Sequence, residues 1–81
     1  MVKPDEECWE DGVDISHGDI DEKDDVYSPH DCQTFCRENS QCAMWSYRKD
    51  EKKCYSKTLN HAQRSTNIDA IIGPPYCPGN Y

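Results

Sequence analysis

The chain has 81 residues, a net charge of −7 and six cysteines, and its Leu, Ile, Val and Phe residues together number ten. So little apolar material in one small domain does not hold a fold by burial alone, and an acidic balance of this size argues against general nucleic-acid binding. No window is long and apolar enough to cross a membrane as a helix.

The opening residues MVKPDEECWE carry no apolar run of the signal-peptide kind, so the chain is expected to be a piece of a longer secreted or surface protein, with residues 1–7 as a flank. Residues 1–31 hold twelve acids against two lysines, whereas residues 32–81 hold four acids against seven bases. Within the acidic part, Trp9 to Asp14 reads as a short strand. Asp19, Asp21, Glu22, Asp24 and Asp25 then read as a solvated acidic loop. An EF-hand alignment starting at Asp19 fails, because Lys23 stands at position 5, Asp24 replaces the glycine at position 6 and His30 falls at position 12. No metal or other cofactor is predicted.

Ser28-Pro29-His30-Asp31 has the composition of a helix start, with Ser as N-cap, Pro at the first helical position and Asp near the positive end of the dipole. Cys32, Phe35 and Cys36 follow at i, i+3 and i+4, which predicts a helix over 29–39 with one apolar stripe and Asn39 as a left-handed terminator. Ala43 to Arg48 alternates, placing Ala43, Trp45 and Tyr47 on one face, and the polar run 49–53 leads into Cys54-Tyr55-Ser56-Lys57. These two segments predict a β-hairpin. Ile68 to Ile72, stopped by Gly73-Pro74-Pro75, predicts a further strand, with 61–67 as loop.

Six cysteines in so short a chain predict a disulfide framework and an oxidising, extracellular compartment. The spacings, 23, 3, 5, 11 and 22 intervening residues, do not form the two close pairs of a zinc site, and no C-x-x-C redox motif is present. Cys32 and Cys36 sit too far apart on one helix to bond each other, so each must find a partner elsewhere. The remaining pairings stay open on chemistry alone.

The run D-C-Q-x-F-C (Asp31 to Cys36), then C-x-x-W-S-Y (Cys42 to Tyr47), then C-Y-x-K (Cys54 to Lys57), with a cysteine near each end, resembles the PAN/apple domain. Gly12-Val13-Asp14 and Gly18-Asp19-Ile20 are similar to motifs of the apple modules in apicomplexan microneme adhesins. The resemblance implies a small disulfide-rich α+β domain over residues 8–77, one helix across a curved antiparallel sheet, with 78–81 as a C-terminal flank. It implies nested bonds joining Cys8 with Cys77, Cys32 with Cys54 and Cys36 with Cys42. It also implies a non-catalytic extracellular adhesion module, one of several tandem apple domains in a parasite microneme adhesin, secreted through that organelle and contacting a host-cell protein receptor, a glycan or neighbouring modules.

Candidate binding residues divide by chemistry. Arg48, Lys49, Lys52, Lys53 and Lys57 crowd the hairpin and suit an anionic glycan or acidic protein patch, although such cations also serve to blunt an edge strand. Trp45, Tyr47 and Tyr55 offer rings for sugar stacking, but in a chain this poor in aliphatics Trp45 and Tyr47 are expected in the core. Tyr27, Tyr76 and Tyr81 are freer to act. His17, His30 and His61 each lie in polar stretches with no nucleophile and base arrangement around them, and are expected to be solvated. The alternatives to protein adhesion are a lectin-like module and a structural spacer without a ligand.

Overall fold

A computed structural model of the chain describes residues 8–16, 19–58 and 63–76. In chain order the elements are β1 (Glu10–Ser16), β2 (Asp19–Lys23), α1 (Pro29–Arg37), β3 (Met44–Arg48), β4 (Lys53–Lys57) and β5 (Gln63–Gly73). Helix α1 starts where its side chains demand: extended Ser28 accepts the amide of Asp31, Pro29 fills the first turn, and Asp31 and Arg37 complement the two ends of the dipole. It ends earlier than expected. The amide of Glu38 closes onto Thr34 and Phe35 with right-handed geometry, while Asn39 uses its side chain to accept the amide of Gln41. Among the described residues, the left-handed non-glycine positions are Asp25 and Lys52, not Asn39.

The strands form one antiparallel sheet in the order β1-β5-β3-β4-β2. The expected hairpin is β3 and β4, paired from Met44 with Lys57 to Arg48 with Lys53. Two segments read as loop are strands. The acidic stretch forms β2, which pairs with β4, and β5 begins at Gln63 instead of Ile68, gaining β1 as its neighbour. Both are held by cross-strand pairing that composition does not reveal.

Strands β1 and β2 are consecutive in the chain yet occupy opposite edges of the sheet. Three Cα steps link Ser16 to Asp19, a span of at most ~11 Å, whereas five flat strands would hold their edges ~19 Å apart. The sheet must therefore curl. That curl explains burial on two faces. Towards α1 lie Val26, Trp45, Tyr47, Ile71 and the cysteines 32, 36, 42 and 54. The register puts Ser46 and Ile72 on the other face, and both are buried although the only helix among the described residues lies elsewhere.

Two disulfides fix the helix. Cys32 is bonded to Cys54 on β4, with Cα atoms 5.2 Å apart, and Cys36 to Cys42 just before β3, at 5.4 Å. Cys77, expected to bond Cys8, lies outside the described residues. Gln33 joins the two ends of the domain, since its amide group donates to Pro74 O at 3.1 Å and lies 3.7 Å from Cys8 Sγ.

Tyr47 ties β3 to the segment before α1 by donating its hydroxyl to Val26 O at 2.8 Å. Burial, reinforced by the negative charge of Asp31 and by Tyr27, pushes its phenol above the ordinary value of 10.0. The sign follows: a raised folded value means this stabilisation is intact below about pH 10 and is lost as pH climbs through the folded value. Urea midpoints measured upward from pH 9 are expected to fall, and Tyr47→Phe is expected to flatten that fall while lowering the neutral midpoint.

Candidate binding surface

Four of the five hairpin cations face carboxylates. Arg48 Nε and Nη2 donate to the two oxygens of Asp50 at 3.1 and 3.0 Å, with Glu51 at 3.7 Å and Asp14 at 3.8 Å. That bond is the main cause of a raised Arg48 and a lowered Asp50 pKa. Lys49 lies 4.0 Å from Asp11. Lys53 lies 3.4 Å from Asp24 and 3.5 Å from Glu22, and these charges raise its pKa. Lys52 makes no ion pair among the described residues and holds its ammonium 5.9 Å from the ring centre of Tyr27. An incoming sulfate or carboxylate would compete with acids already in place, so these residues do not form one open cationic surface.

Lys57 departs furthest from the sequence reading. Its side chain is 6% exposed, paired with an Asp19 carboxylate that is 55% exposed, and its ammonium lies 5.3 Å from the Tyr55 ring centre. The pair is asymmetric, with a buried cation held by an anion that is half in water. Removing Asp19 strands a buried charge, whereas removing Lys57 returns Asp19 to solvent. Asp19→Ala is expected to lower stability by about 2 kcal/mol, and Lys57→Met to stay within about 1 kcal/mol of the parent. Urea unfolding of the two variants side by side checks the order.

The aromatic residues separate cleanly. Trp45 and Tyr47 are core, as their alternation predicts. Tyr55 is half-buried and donates its hydroxyl to Glu51 at 3.1 Å. Tyr27 and Tyr76 are 65% and 64% exposed, and each ring carries a cation: Lys52 on the first, and on the second the Arg37 guanidinium, 4.8 Å from the ring centre. Arg37 also donates Nε to Pro75 O at 2.6 Å, which holds the Tyr76 shelf against α1. Tyr81, His17 and His61 lie outside the described residues. Exposed His30 meets the ring of Trp9 edge-on at 5.4 Å. Among the described residues, no group of three His, Cys, Asp or Glu side chains is placed to hold a metal ion.

Sequence reasoning missed Ile68, which is 78% exposed. The sequence predicts it only as the start of a further strand, but between Thr66 and Ile71 β5 makes five steps against two on β1, from Val13 to Asp11. Gly12, at φ 81°, takes the left-handed turn opposite. The extra residues are pinned: Asn67 Oδ1 accepts the amide of Asp69, whose carbonyl accepts the amide of Lys49. Pattern alone does not reveal such a bulge, although Asn67 and Asp69 flanking an isoleucine are the local signal for it.

The described surface thus offers exposed side chains, two of them rings topped by cations, on a disulfide-linked frame. Such groups serve non-covalent contact with a protein or a sugar. A family model described as the PAN domain matches residues 11–74. No curated protein matches the chain. Among solved structures, the two N-terminal apple domains of Toxoplasma gondii microneme protein 4 are similar with a TM-score of 0.70 and 19% identity, over 84% of this chain and 44% of that one. A PAN module from Eimeria tenella is similar with a TM-score of 0.66 and 21% identity, over 91% of this chain and 85% of that one. The chain spans less than half of the first of these, and at such identities the likeness is one of fold.

Proposed function

Because the chain belongs to the PAN domain family, we propose that residues 8–77 form a non-catalytic extracellular adhesion module that binds a host-cell surface protein. The observation that carries this reading is the state of the surface. The cations that would favour an acidic glycan are largely occupied by neighbouring carboxylates, while Tyr27 and Tyr76 stand exposed on a disulfide-linked frame. Rings of this kind, with a stacked cation, are the side chains that dominate protein interfaces.

The disulfide framework supports a secreted location, and the fold likeness to domains of a microneme protein supports a tandem module of a parasite adhesin released from that organelle. A single module then binds weakly, and repetition supplies avidity. A third bond from Cys8 to Cys77 is part of this proposal. Peptide mapping without reduction checks it.

The test uses the oxidised 81-residue chain on cultured host cells. Saturable binding that survives enzymatic deglycosylation and falls at least about tenfold in Tyr27→Ala/Tyr76→Ala, the loss of two anchor rings, is the expected outcome. Binding abolished by deglycosylation, with hits on a glycan array, would transfer the function to the lectin reading. Retention on heparin that falls with salt and vanishes in Lys52→Glu/Lys53→Glu would transfer it to acidic glycans. A folded chain with no saturable binding to cells, array or heparin leaves a structural spacer.

A further inference from the structure

Strand β2 and the residues after it are anchored at both ends and lightly held between them. At one end the Asp19 carboxylate pairs with the buried Lys57 ammonium, and half-buried Ile20 packs against the core. At the other, buried Val26 gives its amide to Lys52 O at 2.9 Å and accepts the Tyr47 hydroxyl at 2.8 Å. A kink stands just inside each anchor: the register shift between Asp19 and Asp21, and Asp25 at φ 61°.

Between the kinks Asp21, Glu22, Lys23 and Asp24 are all exposed, so the stretch buries no apolar side chain that would resist its lifting. Among the described residues it pairs with β4 alone. Glu22 gives its amide to the Asp21 carboxylate at 2.9 Å, so the ladder bonds fall to Asp21 and Lys23. Lys53 adds ion pairs to Glu22 and Asp24, and pairs with carboxylates so exposed contribute little in water.

Two residues of β4 stand beside this stretch in register. Ser56, opposite Asp21, buries its hydroxyl with no hydrogen-bond partner among the described residues, a penalty that water relieves when β2 lifts. Cys54, opposite Lys23, is fully buried and bonded to Cys32. The Lys23 side chain spans from sheet to helix on the β2 side of that bond, its ammonium 5.9 Å from the ring centre of Phe35.

We propose that residues 21–24 form a strap that lifts from β4 while the rest of the domain stays folded, and that its closed form shields the Cys32–Cys54 bond from thiols. When it lifts, one thiolate of a small dithiol attacks Cys54 Sγ and Cys32 leaves as a thiolate. The second thiol then displaces Cys54 and closes the reagent's own disulfide, so the protein bond gains the two electrons the dithiol loses. Because this bond joins α1 to β4, the strap sets how fast the fold is lost to reduction, whichever ligand the module binds.

Amide exchange and reduction of the oxidised chain test it together. The amides of Asp21 and Lys23 are expected to exchange through an opening that urea below the unfolding range barely accelerates, because little surface is exposed, whereas those of β3 follow global unfolding. Ser56→Ala removes the unpartnered hydroxyl and is expected to slow that opening about fivefold or more. Lys53→Gln removes the two ion pairs and is expected to speed it about two- to tenfold. With dithiothreitol as reductant, the initial reduction rate of Cys32–Cys54, read by alkylation and peptide mapping, is expected to change by the same factors in both variants while that of Cys36–Cys42 does not. It is expected to rise as well in Lys23→Ala, which strips the side cover and leaves the backbone of the strap in place. Exchange at Asp21 and Lys23 with the urea dependence of β3, or a reduction rate at Cys32–Cys54 that ignores both variants, overturns the proposal.

Discussion

A Cys32→Ala/Cys54→Ala double variant is expected to lose about 3 kcal/mol of stability and to be largely unfolded at 37 °C. In the chain-entropy model the bond, which spans a sequence separation of 22, restricts the unfolded chain by about that amount. The whole domain has roughly 4 to 12 kcal/mol to lose, at the usual range per residue. The Cys36–Cys42 bond closes a separation of 6, so its removal is expected to be milder, about 2 kcal/mol. Position reinforces the order: Cys32–Cys54 joins the middle of α1 to a central strand, whereas Cys36–Cys42 closes a turn that Asn39 also supports, its carbonyl accepting the amide of Cys42. Urea midpoints of both variants without reductant give the comparison. If the first variant unfolds within about 1 kcal/mol of the parent, or if the two rank in the opposite order, the helix clamp is not what holds this fold.

The elements legible in the sequence are those whose determinants are local. Ser28 and Pro29 specify the start of α1, the stripe of Cys32, Phe35 and Cys36 specifies its buried side, and the alternation of Trp45 and Tyr47 specifies β3. Strand β2 was not legible. Its five residues carry three acids and a lysine, and they become a strand because β4 and the buried ammonium of Lys57 offer partners that only the curled sheet brings near. The extension of β5 back to Gln63 has the same origin, for its polar residues pair with β1 across the bulge.

The candidate surface was legible in kind and not in place. Lys57 follows Cys54 and Tyr55 like any hairpin cation, and composition does not show that its neighbours enclose it. Tyr76 lies beside a Pro-Pro pair that reads as a plain stop signal. What makes Tyr76 a presented ring is Arg37, a residue 39 positions earlier in the chain, reaching from the helix to its face and to the preceding carbonyl. Long-range contacts of this kind place the surface, and the cysteines guarantee only the frame on which they form.

Trp45 is the side chain on which that frame converges, and its truncation to Ala is expected to abolish folding or to lower stability by about 3 to 5 kcal/mol. The ring is fully buried, packs edge-on against Trp9 at 5.8 Å and donates its indole N–H to Pro74 O at 2.7 Å. Gln33 from α1 donates to the same carbonyl, so one acceptor links helix, sheet and the chain's return. Trp45→Phe tests the bond apart from the burial: it keeps an apolar ring and is expected to lose less, since Pro74 O retains Gln33. Gly73 supplies the complementary test from the other side. A Cβ built there meets Trp45 Cζ2 at 2.6 Å and Trp9 Cβ at 3.0 Å, so Gly73→Ala forces the indole off its site and is expected to cost about 1 to 3 kcal/mol. The two lesions share one ring, and their effects should not add. Trp45→Ala/Gly73→Ala is expected to be only slightly worse than Trp45→Ala alone, because the missing indole vacates most of the space the methyl needs and leaves only the contact with Trp9 Cβ. Full additivity in a urea double-mutant cycle would mean that the glycine serves the backbone and not the tryptophan.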